Sequence, residues 1–200
     1  IGAFGQTLTV TNTNDSGAGS LRQAITDANA NWSIDRIEFN IPTTDPGYNS
    51  TTGVFTITIT STELPGIGNR VLTIDGSTQT AFTGNTNTTT FGIGGTVGCD
   101  DVALAQVDGP EIELVDGHGT LKWGLHFCER DQVVNDITIH SFGNGWFIYN
   151  QANLLVRASA NDFEAFNMVL GSEAHADMAP AGSDFNGAPN FQALQVDNGK

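Results

Sequence analysis

Gly19-Ser20-Leu21-Arg22-Gln23-Ala24-Ile25-Thr26-Asp27-Ala28-Asn29-Ala30-Asn31 is the one stretch near the start of the chain with a clear helical pattern. Its apolar side chains recur at spacings of three and four residues, which places them on one face: Leu21, Ala24, Ile25 and Ala28. Ser20 and Gln23 form a capping-box pair, in which the hydroxyl accepts from the Gln23 amide and the Gln23 side chain reaches back. The stretch predicts a short helix, apolar on one side, that covers the end of a β-structure.

The rest of the chain has the pattern of strands and turns. Apolar and polar side chains alternate over several segments, which is typical of half-buried strands. These segments are residues 6–13, 35–41, 54–60, 71–76, 111–115, 124–127, 136–140, 146–149, 153–156, 166–170 and 191–196. Several are followed by Gly, Asn or Asp, the residues that tight corners require. An all-β fold is therefore expected, with the helix as an exception.

Two segments resemble the N-terminal part of bacterial exported parallel β-helix proteins. Residues 11–25 contain Thr-Asn-Thr-Asn-Asp-Ser-Gly followed by Gly-Ser-Leu-Arg-Gln-Ala-Ile, which is similar to the strand and "GSLR(E/Q)AI" helix that cap those solenoids. Residues 72–79, Leu-Thr-Ile-Asp-Gly-Ser-Thr-Gln, resemble the strand and turn that follow. The resemblance covers about the first 80 residues and implies a right-handed parallel β-helix (a solenoid) with a short N-terminal capping helix.

On this interpretation the 200 residues form a single β-helix domain. Residues 1–42 form the N-terminal cap, and residues 43–200 form solenoid coils with long loops near 80–98 and 171–190. A β-sandwich or a jelly roll is the alternative, since both explain alternating strands and Gly-rich turns. Neither alternative explains the amphipathic helix near the start of the chain.

The charge of the chain excludes two classes of partner. It carries 22 acidic residues against 7 basic ones, a formal net charge of −15. Nucleic acids and anionic membrane surfaces are recognised by clustered Lys and Arg, so neither is an expected partner. No run approaches 18 apolar residues, so no membrane span is expected. An acidic, solvated surface is common in secreted or salt-adapted proteins. The resemblance to exported β-helix proteins implies an extracellular or cell-surface location.

Cys99 and Cys128 are the only cysteines and lack the spacing of a metal site. In an exported protein one disulfide between them is a natural pairing, and two free buried thiols are the alternative. The chain begins at Ile1, which fits a mature exported protein or an excised segment.

Candidate substrate-binding carboxylates lie in the middle of the chain. Glu111 and Glu113 share one face of a predicted strand, so they can point together into a groove; the alternative is that they face solvent. A polysaccharide hydrolase needs two carboxylates, one of them protonated. Further acidic candidates are Asp100, Asp101, Asp108, Asp116, Glu129, Asp131 and Asp136. Asp100-Asp101 resembles the adjacent aspartates of pectin-cleaving hydrolases, but the flanking motif is missing.

Aromatic residues give a second candidate binding surface. Trp146 and Tyr149 lie on a predicted strand and, with Trp123 and Phe147, can form a platform for sugar rings. Trp146 and Phe147 face opposite sides of that strand, so one of the two sides belongs to the core.

No cofactor is predicted. The four histidines show no metal-site spacing, although His126 and His140 can stack on adjacent coils. Turns such as Asp108-Gly109 and Asp116-Gly117 are oxygen-rich enough for Ca²⁺ but match no calcium motif.

Two functional hypotheses remain open. The first is an exported extracellular or cell-surface structural or adhesive protein, which assembles end to end into a filament. It rests on the C-terminal end, where residues 195–200 follow a strand-like run without a closing helix. Such an end predicts a homo-oligomer or continuation into a longer chain. The second is a polysaccharide-active enzyme, a hydrolase or lyase, or a carbohydrate-binding module, so the question of enzymatic activity stays open.

Overall fold

The computed structural model describes residues 5–91, 94–97, 99–103, 106–143, 152–157, 159–160, 162–170 and 194–196. This part of the chain consists of short strands and two helices. The strands are β1 (Gln6–Val10), β2 (Ile34–Phe39), β3 (Tyr48–Asn49), β4 (Val54–Ile59), β5 (Thr73–Asp75), β6 (Thr90–Phe91), β7 (Thr96–Val97), β8 (Val102–Ala103), β9 (Val107–Asp108), β10 (Ile112–Asp116), β11 (Trp123–Phe127), β12 (Val133–Asn135), β13 (Ile137–His140), β14 (Ala152–Val156), β15 (Glu164–Phe166), β16 (Val169–Leu170) and β17 (Leu194–Val196). The helices are α1 (Leu21–Ala30) and α2 (Ser77–Thr83).

Three larger sheets hold most of these strands. Their orders are β1-β2-β5-β12-β15, β16-β13-β10-β4-β3 and β11-β14-β17. The strand pairs within them are parallel except for β3 and β4. Parallel neighbours come from distant parts of the chain: Asp75 in β5 is in register with Asn135 in β12.

The predicted fold, a single right-handed parallel β-helix, is wrong. The described strands form several sheets of mixed orientation, because β3–β4, β6–β9 and β7–β8 are antiparallel pairs. The physical reason is local. A turn with Gly53 at φ 75° brings the chain straight back from β3 to β4. Farther along the chain, β6 pairs with β9 and β7 pairs with β8. The backbone N–H and C=O groups of these segments form hydrogen bonds within antiparallel pairs rather than with parallel strands above and below them.

The predicted long loop at 80–98 also has structure, since it contains the end of α2 together with β6 and β7. The second predicted loop, 171–190, lies outside the described residues.

The inward faces of the three larger sheets and one face of α1 enclose one apolar core. Its largest fully buried side chains include Phe39, Phe55, Phe127, Phe142, Ile25, Ile57 and Ile67. At about 25 cal/mol per Å² of apolar surface removed from water, burial of each such side chain stabilises the fold by roughly 1.5–3 kcal/mol. The core therefore holds in place the polar corners at the ends of the strands.

The amphipathic helix predicted for residues 19–31 is confirmed as α1. Its four buried residues are the four predicted ones: Leu21, Ala24, Ile25 and Ala28. The Ser20 hydroxyl accepts a hydrogen bond from the Gln23 amide at 3.2 Å, which is one half of the predicted capping box. The other half differs, because the Gln23 side chain donates to Asp27 at 2.7 Å.

Polar side chains on α1 attach it to the segment that follows β4. Arg22 donates to the backbone carbonyls of Thr62 and Glu63 at 2.7 and 2.8 Å and to the Asp15 carboxylate at 2.6 Å. Near the end of α1, Asn29 donates to the Gly66 carbonyl and accepts from the Gly68 amide, both at 2.8 Å. The helix is thereby fixed against the edge of the core. Neither described helix has the length and hydropathy needed to cross a membrane.

Candidate functional site

A cleft of about 830 Å³ opens where α2 passes over the carboxyl ends of β12 and β15. One wall is α2, a second is the chain from Val107 to Glu111, and Asp136 and Asn167 line the third. The cleft therefore lies at the corner where the chain leaves the first sheet and enters the second.

Glu111 is the most buried acid of the cleft, at 2% exposed. It immediately precedes β10, and its Oε2 accepts a hydrogen bond from the Thr80 hydroxyl of α2. Burial raises the pKa of the Glu111 carboxyl, although hydrogen bonds from Thr80 and from backbone amides near Asn87 favour the ionised form. A carboxyl with a raised pKa is a proton donor closer to neutral pH than an ordinary one.

Asp136 and Asn167 occupy equivalent corners, one residue after β12 and β15. Both have left-handed backbone, with φ of 53° and 47°. The Asp136 carboxylate accepts hydrogen bonds from the side-chain amides of Asn135, at 2.9 Å, and Asn167. Asn and Asp tolerate this conformation better than other non-glycine residues, which explains their presence at both corners.

The equivalent corner, one residue after β5, needs glycine. A Cβ on Gly76 would lie 2.0 Å from the carbonyl oxygen of Asp136, closer than any real contact. After Gly76 the chain turns into α2, because Asp75 accepts hydrogen bonds from the Ser77 amide and hydroxyl at 3.0 and 2.6 Å. Asp75 thus starts the helix that forms one wall of the cleft.

Most of the surface that the cleft exposes is apolar, but several of its lining residues carry polar or acidic groups. Asp108, Glu111 and Asp136 contribute carboxylates, Ser77 and Thr80 contribute hydroxyls, and Asn85 and Asn167 contribute amides. None of the described lining residues is Lys or Arg. Val107 is 45% exposed beside them.

Glu113, the other predicted binding carboxylate, is not part of this cleft. It is 5% exposed and lies within the second sheet. There it accepts from the Thr56 hydroxyl of β4 at 2.7 Å and lies 3.2 Å from His140 Nε2 of β13. Strand register places Glu113 opposite Thr56 of β4 and Thr138 of β13, and His140 lies two residues farther along β13. Glu113 therefore connects strands, while Glu111 faces α2.

The other candidate binding residues are scattered or undescribed. Trp146 and Tyr149 lie outside the described residues. Trp123 is half-buried, with its ring centroid 4.9 Å from that of His126. Asp100 and Asp101 are exposed in the turn between β7 and β8.

Cys99 and Cys128 are free thiols, Cys99 exposed and Cys128 half-buried, so the structure does not join them. His126 and His140 belong to different sheets rather than to one stack. Within the described residues no group of three or more His, Cys, Asp or Glu side chains could hold a metal ion.

The sequence prediction missed α2 and its contribution to the cleft. Four of its seven residues are Ser or Thr, which favour helices weakly. A signal was present, because Asp75 two residues before Ser77 is an acceptor placed to start a helix. Comparisons with family models, with curated proteins and with solved structures found no match to this chain.

Proposed function

We propose that the protein is an extracellular adhesive protein that binds a neutral carbohydrate in the cleft between α2 and the chain from Val107 to Glu111. The observation that carries the proposal is the lining of the cleft. Its exposed surface is largely apolar and includes Val107, and hydroxyl, amide and carboxylate groups stand among the lining residues. Sugars present hydroxyls that both donate and accept hydrogen bonds, and they present small apolar faces.

The charge of the cleft selects among carbohydrates. Three carboxylates line it, and its described part contains no Lys or Arg. An acidic polysaccharide would place its own carboxylates or sulfates near these groups without a compensating cation, and like charges repel. Neutral sugars avoid that cost, so they are the expected class.

A glycan array with neutral, uronic-acid and sulfated members, followed by calorimetry on the best ligand, tests this proposal. Asp108 is exposed, and its replacement leaves the core intact, so Asp108→Ala should weaken binding at least fivefold. Asp100→Ala, an equally exposed acid outside the cleft, is the matched control and should bind as the wild type does. Equal affinities of the two variants, or binding only to acidic glycans, would overturn the assignment.

A second candidate, glycoside hydrolysis in the same cleft, is favoured by the burial of Glu111. In this reaction Glu111 gives its proton to the glycosidic oxygen as the bond to the anomeric carbon breaks. Asp136 accepts a proton from the water that attacks that carbon. The assay is release of new reducing ends from neutral polysaccharides. If the wild type releases no more reducing ends than the Glu111→Gln and Asp136→Asn variants do, catalysis is ruled out and binding remains as the function.

End-to-end assembly stays a prediction from the sequence. Analytical ultracentrifugation of the full chain over a range of concentrations tests it. Growth of the sedimenting species with concentration is the expected result, and a constant monomer contradicts it.

A further inference from the structure

Trp32 is the most exposed of the large apolar side chains in the part of the chain that the structure describes. It lies between the end of α1 and the start of β2 and is 65% exposed. Tryptophan is highly buried on average in folded proteins, so an indole in water is an informative exception. Trp32 does not belong to the apolar core. Its ring is therefore available to a ligand.

A tight turn carries Trp32 at its tip. The Asn31 carbonyl accepts a hydrogen bond from the Ile34 amide at 3.0 Å, and the Asn31 side chain accepts one from the Ser33 amide at 3.1 Å. The Asn31 side chain also donates to the Gln6 side chain of β1 at 3.2 Å. These hydrogen bonds fix the backbone on both sides of Trp32, so the indole projects from a rigid support.

Two charged side chains support one face of the ring. The Arg70 guanidinium lies over the indole, with its central carbon 5.4 Å from the ring centroid. Glu129 accepts a hydrogen bond from Arg70 Nε at 3.3 Å. A cation over an aromatic ring is an attractive contact, and here it favours one orientation of the indole. Because the side chain is still 65% exposed, the opposite face of the ring is open to solvent.

The groups beside the indole are polar and neutral. Gln6, Asn31 and Ser33 are all exposed, and they contribute two amides and a hydroxyl. A sugar ring can stack its C–H groups on the indole, while its hydroxyls donate and accept hydrogen bonds at the edge. A pyranose with equatorial hydroxyls, such as glucose, presents the flattest C–H face. The turn therefore has the chemistry of a sugar-stacking surface.

Two other classes of partner fit this surface less well. The core of a protein–protein interface is a contiguous, largely apolar patch, whereas the exposed residues on either side of Trp32 in this turn are polar. An anionic membrane surface attracts clustered cations, but the chain carries a net charge of −15, and Arg70 is already paired with Glu129.

We propose that Trp32 is a stacking platform for a neutral polysaccharide of β-linked, glucose-like sugars. A β-linked chain of such sugars is extended and offers ring faces along its length. The platform lies at the amino end of β2, and the cleft lies beyond the carboxyl ends of the neighbouring strands. The six residues of β2 separate the two sites by roughly 20 Å. The platform is therefore a second site, which does not depend on binding in the cleft.

Isothermal titration calorimetry of the full chain with a soluble β-linked glucose oligosaccharide tests the platform. Trp32→Ala should weaken binding by about tenfold, and Trp32→Phe, which keeps a smaller ring, by about threefold. Arg70→Gln should weaken binding by about twofold, because the indole loses its support. The matched control is Val102→Ala, which removes another exposed apolar side chain, outside both the turn and the cleft, and should bind as the wild type does.

The same titrations in the Asp108→Ala background separate the platform from the cleft. The effect of Trp32→Ala should be equal in both backgrounds, since distant sites act independently. If only Asp108→Ala weakens binding, the platform is overturned and the cleft proposal stands. If the oligosaccharide does not bind to the full chain, the platform is also overturned.

Two further measurements separate stacking from a structural role of Trp32. An α-linked mannose oligosaccharide, whose axial hydroxyl interrupts the flat C–H face, should bind more weakly than the glucose oligosaccharide, and equal affinities would contradict stacking. Circular dichroism checks the fold of each variant. If Trp32→Ala alters the spectrum, Trp32→Phe and Arg70→Gln decide the matter, because wild-type affinity in both would contradict the platform.

Discussion

The side chain of Gln79 forms two reciprocal hydrogen bonds with the backbone of Ile41, accepting from its amide and donating to its carbonyl, each at 2.9 Å. Gln79 is fully buried, and so is Ile41. The pair attaches α2 to the end of β2 across 38 residues of chain. It holds the wall of the cleft in position.

Gln79→Leu should therefore destabilise the protein by about 3 kcal/mol. The substitution leaves a buried amide and a buried carbonyl without partners, and each costs about 1–3 kcal/mol. Urea unfolding measures the loss. The matched control is Gln6→Leu at an exposed position of β1, which should change stability by less than about 0.5 kcal/mol. Equal effects of the two substitutions would show that the reciprocal pair contributes nothing.

Val71→Asn should stabilise the protein by about 1 kcal/mol. Val71 has a φ of 62°, a left-handed conformation that is strained for a β-branched side chain, and it is 57% exposed. Asp131 and Asp162, the residues at the equivalent corners before β12 and β15, have nearly the same φ. Thermal unfolding should shift upward by about 2–4 °C.

The reverse substitution, Asp131→Val, introduces the same strain at the next corner. It should lower stability by about 1–2 kcal/mol. If the two substitutions change the unfolding temperature in the same direction, conformational strain does not control these positions.

Stability should fall in acid because of Asp15. Burial alone would raise the pKa of this carboxyl, but hydrogen bonds from Arg22, Ser61 and Thr60 outweigh it and hold the pKa below its usual value. The resulting stabilisation is fully present above the unfolded pKa near 4 and is lost as pH falls through the lower folded value. Asp15→Asn should therefore be less stable than wild type at pH 7, and the difference should shrink below pH 4. Asp100→Asn, at an exposed turn, is the control and should follow the wild-type curve.

Glu111 changes the stability of the protein with pH in the opposite direction. Its folded pKa is raised, so the native state binds the extra proton, and stability decreases as pH rises from the unfolded pKa towards the folded one. Compared with wild type, Glu111→Gln should gain relative stability over this interval, because glutamine is neutral at every pH. Unfolding curves between pH 4 and 8 measure the difference. A difference that stays constant across this range contradicts the assignment. The control variant in the same unfolding measurements is Glu129→Gln, which replaces a partly exposed acid paired with Arg70.

The sequence was informative wherever structure depends on local periodicity. Spacings of three and four residues identified the buried face of α1, and alternation located β1, β2, β4 and β10. It was less informative about which strands pair. β5 has three residues, too few for alternation to specify a neighbour, and its partner β12 lies far along the chain. The sheet arrangement was predicted incorrectly because the antiparallel pairs involve the two-residue strands β3, β6, β7, β8 and β9, which are too short for alternation to reveal.

The site was predicted in part for the same reason. Glu111 and Asp136 could be named as candidate acids from composition and position alone. Their separation from Glu113 depends on strand register, which places Glu113 opposite Thr56 and Thr138 within the second sheet. The contribution of α2 depends on Gln79 reaching Ile41, a tertiary contact that no local pattern contains.

The pairing of β5 with β12 has an evolutionary consequence. The Asn135 side chain donates to Asp75 at 2.8 Å although 60 residues separate them. The intervening chain builds two walls of the cleft before it returns to the sheet. Because the entropy of closing a loop grows only slowly with its length, insertions here should cost little stability. Residues between Asp75 and Asn135 can therefore change during evolution, and the ligand preference can change with them. The register of the strands on either side of this segment stays the same.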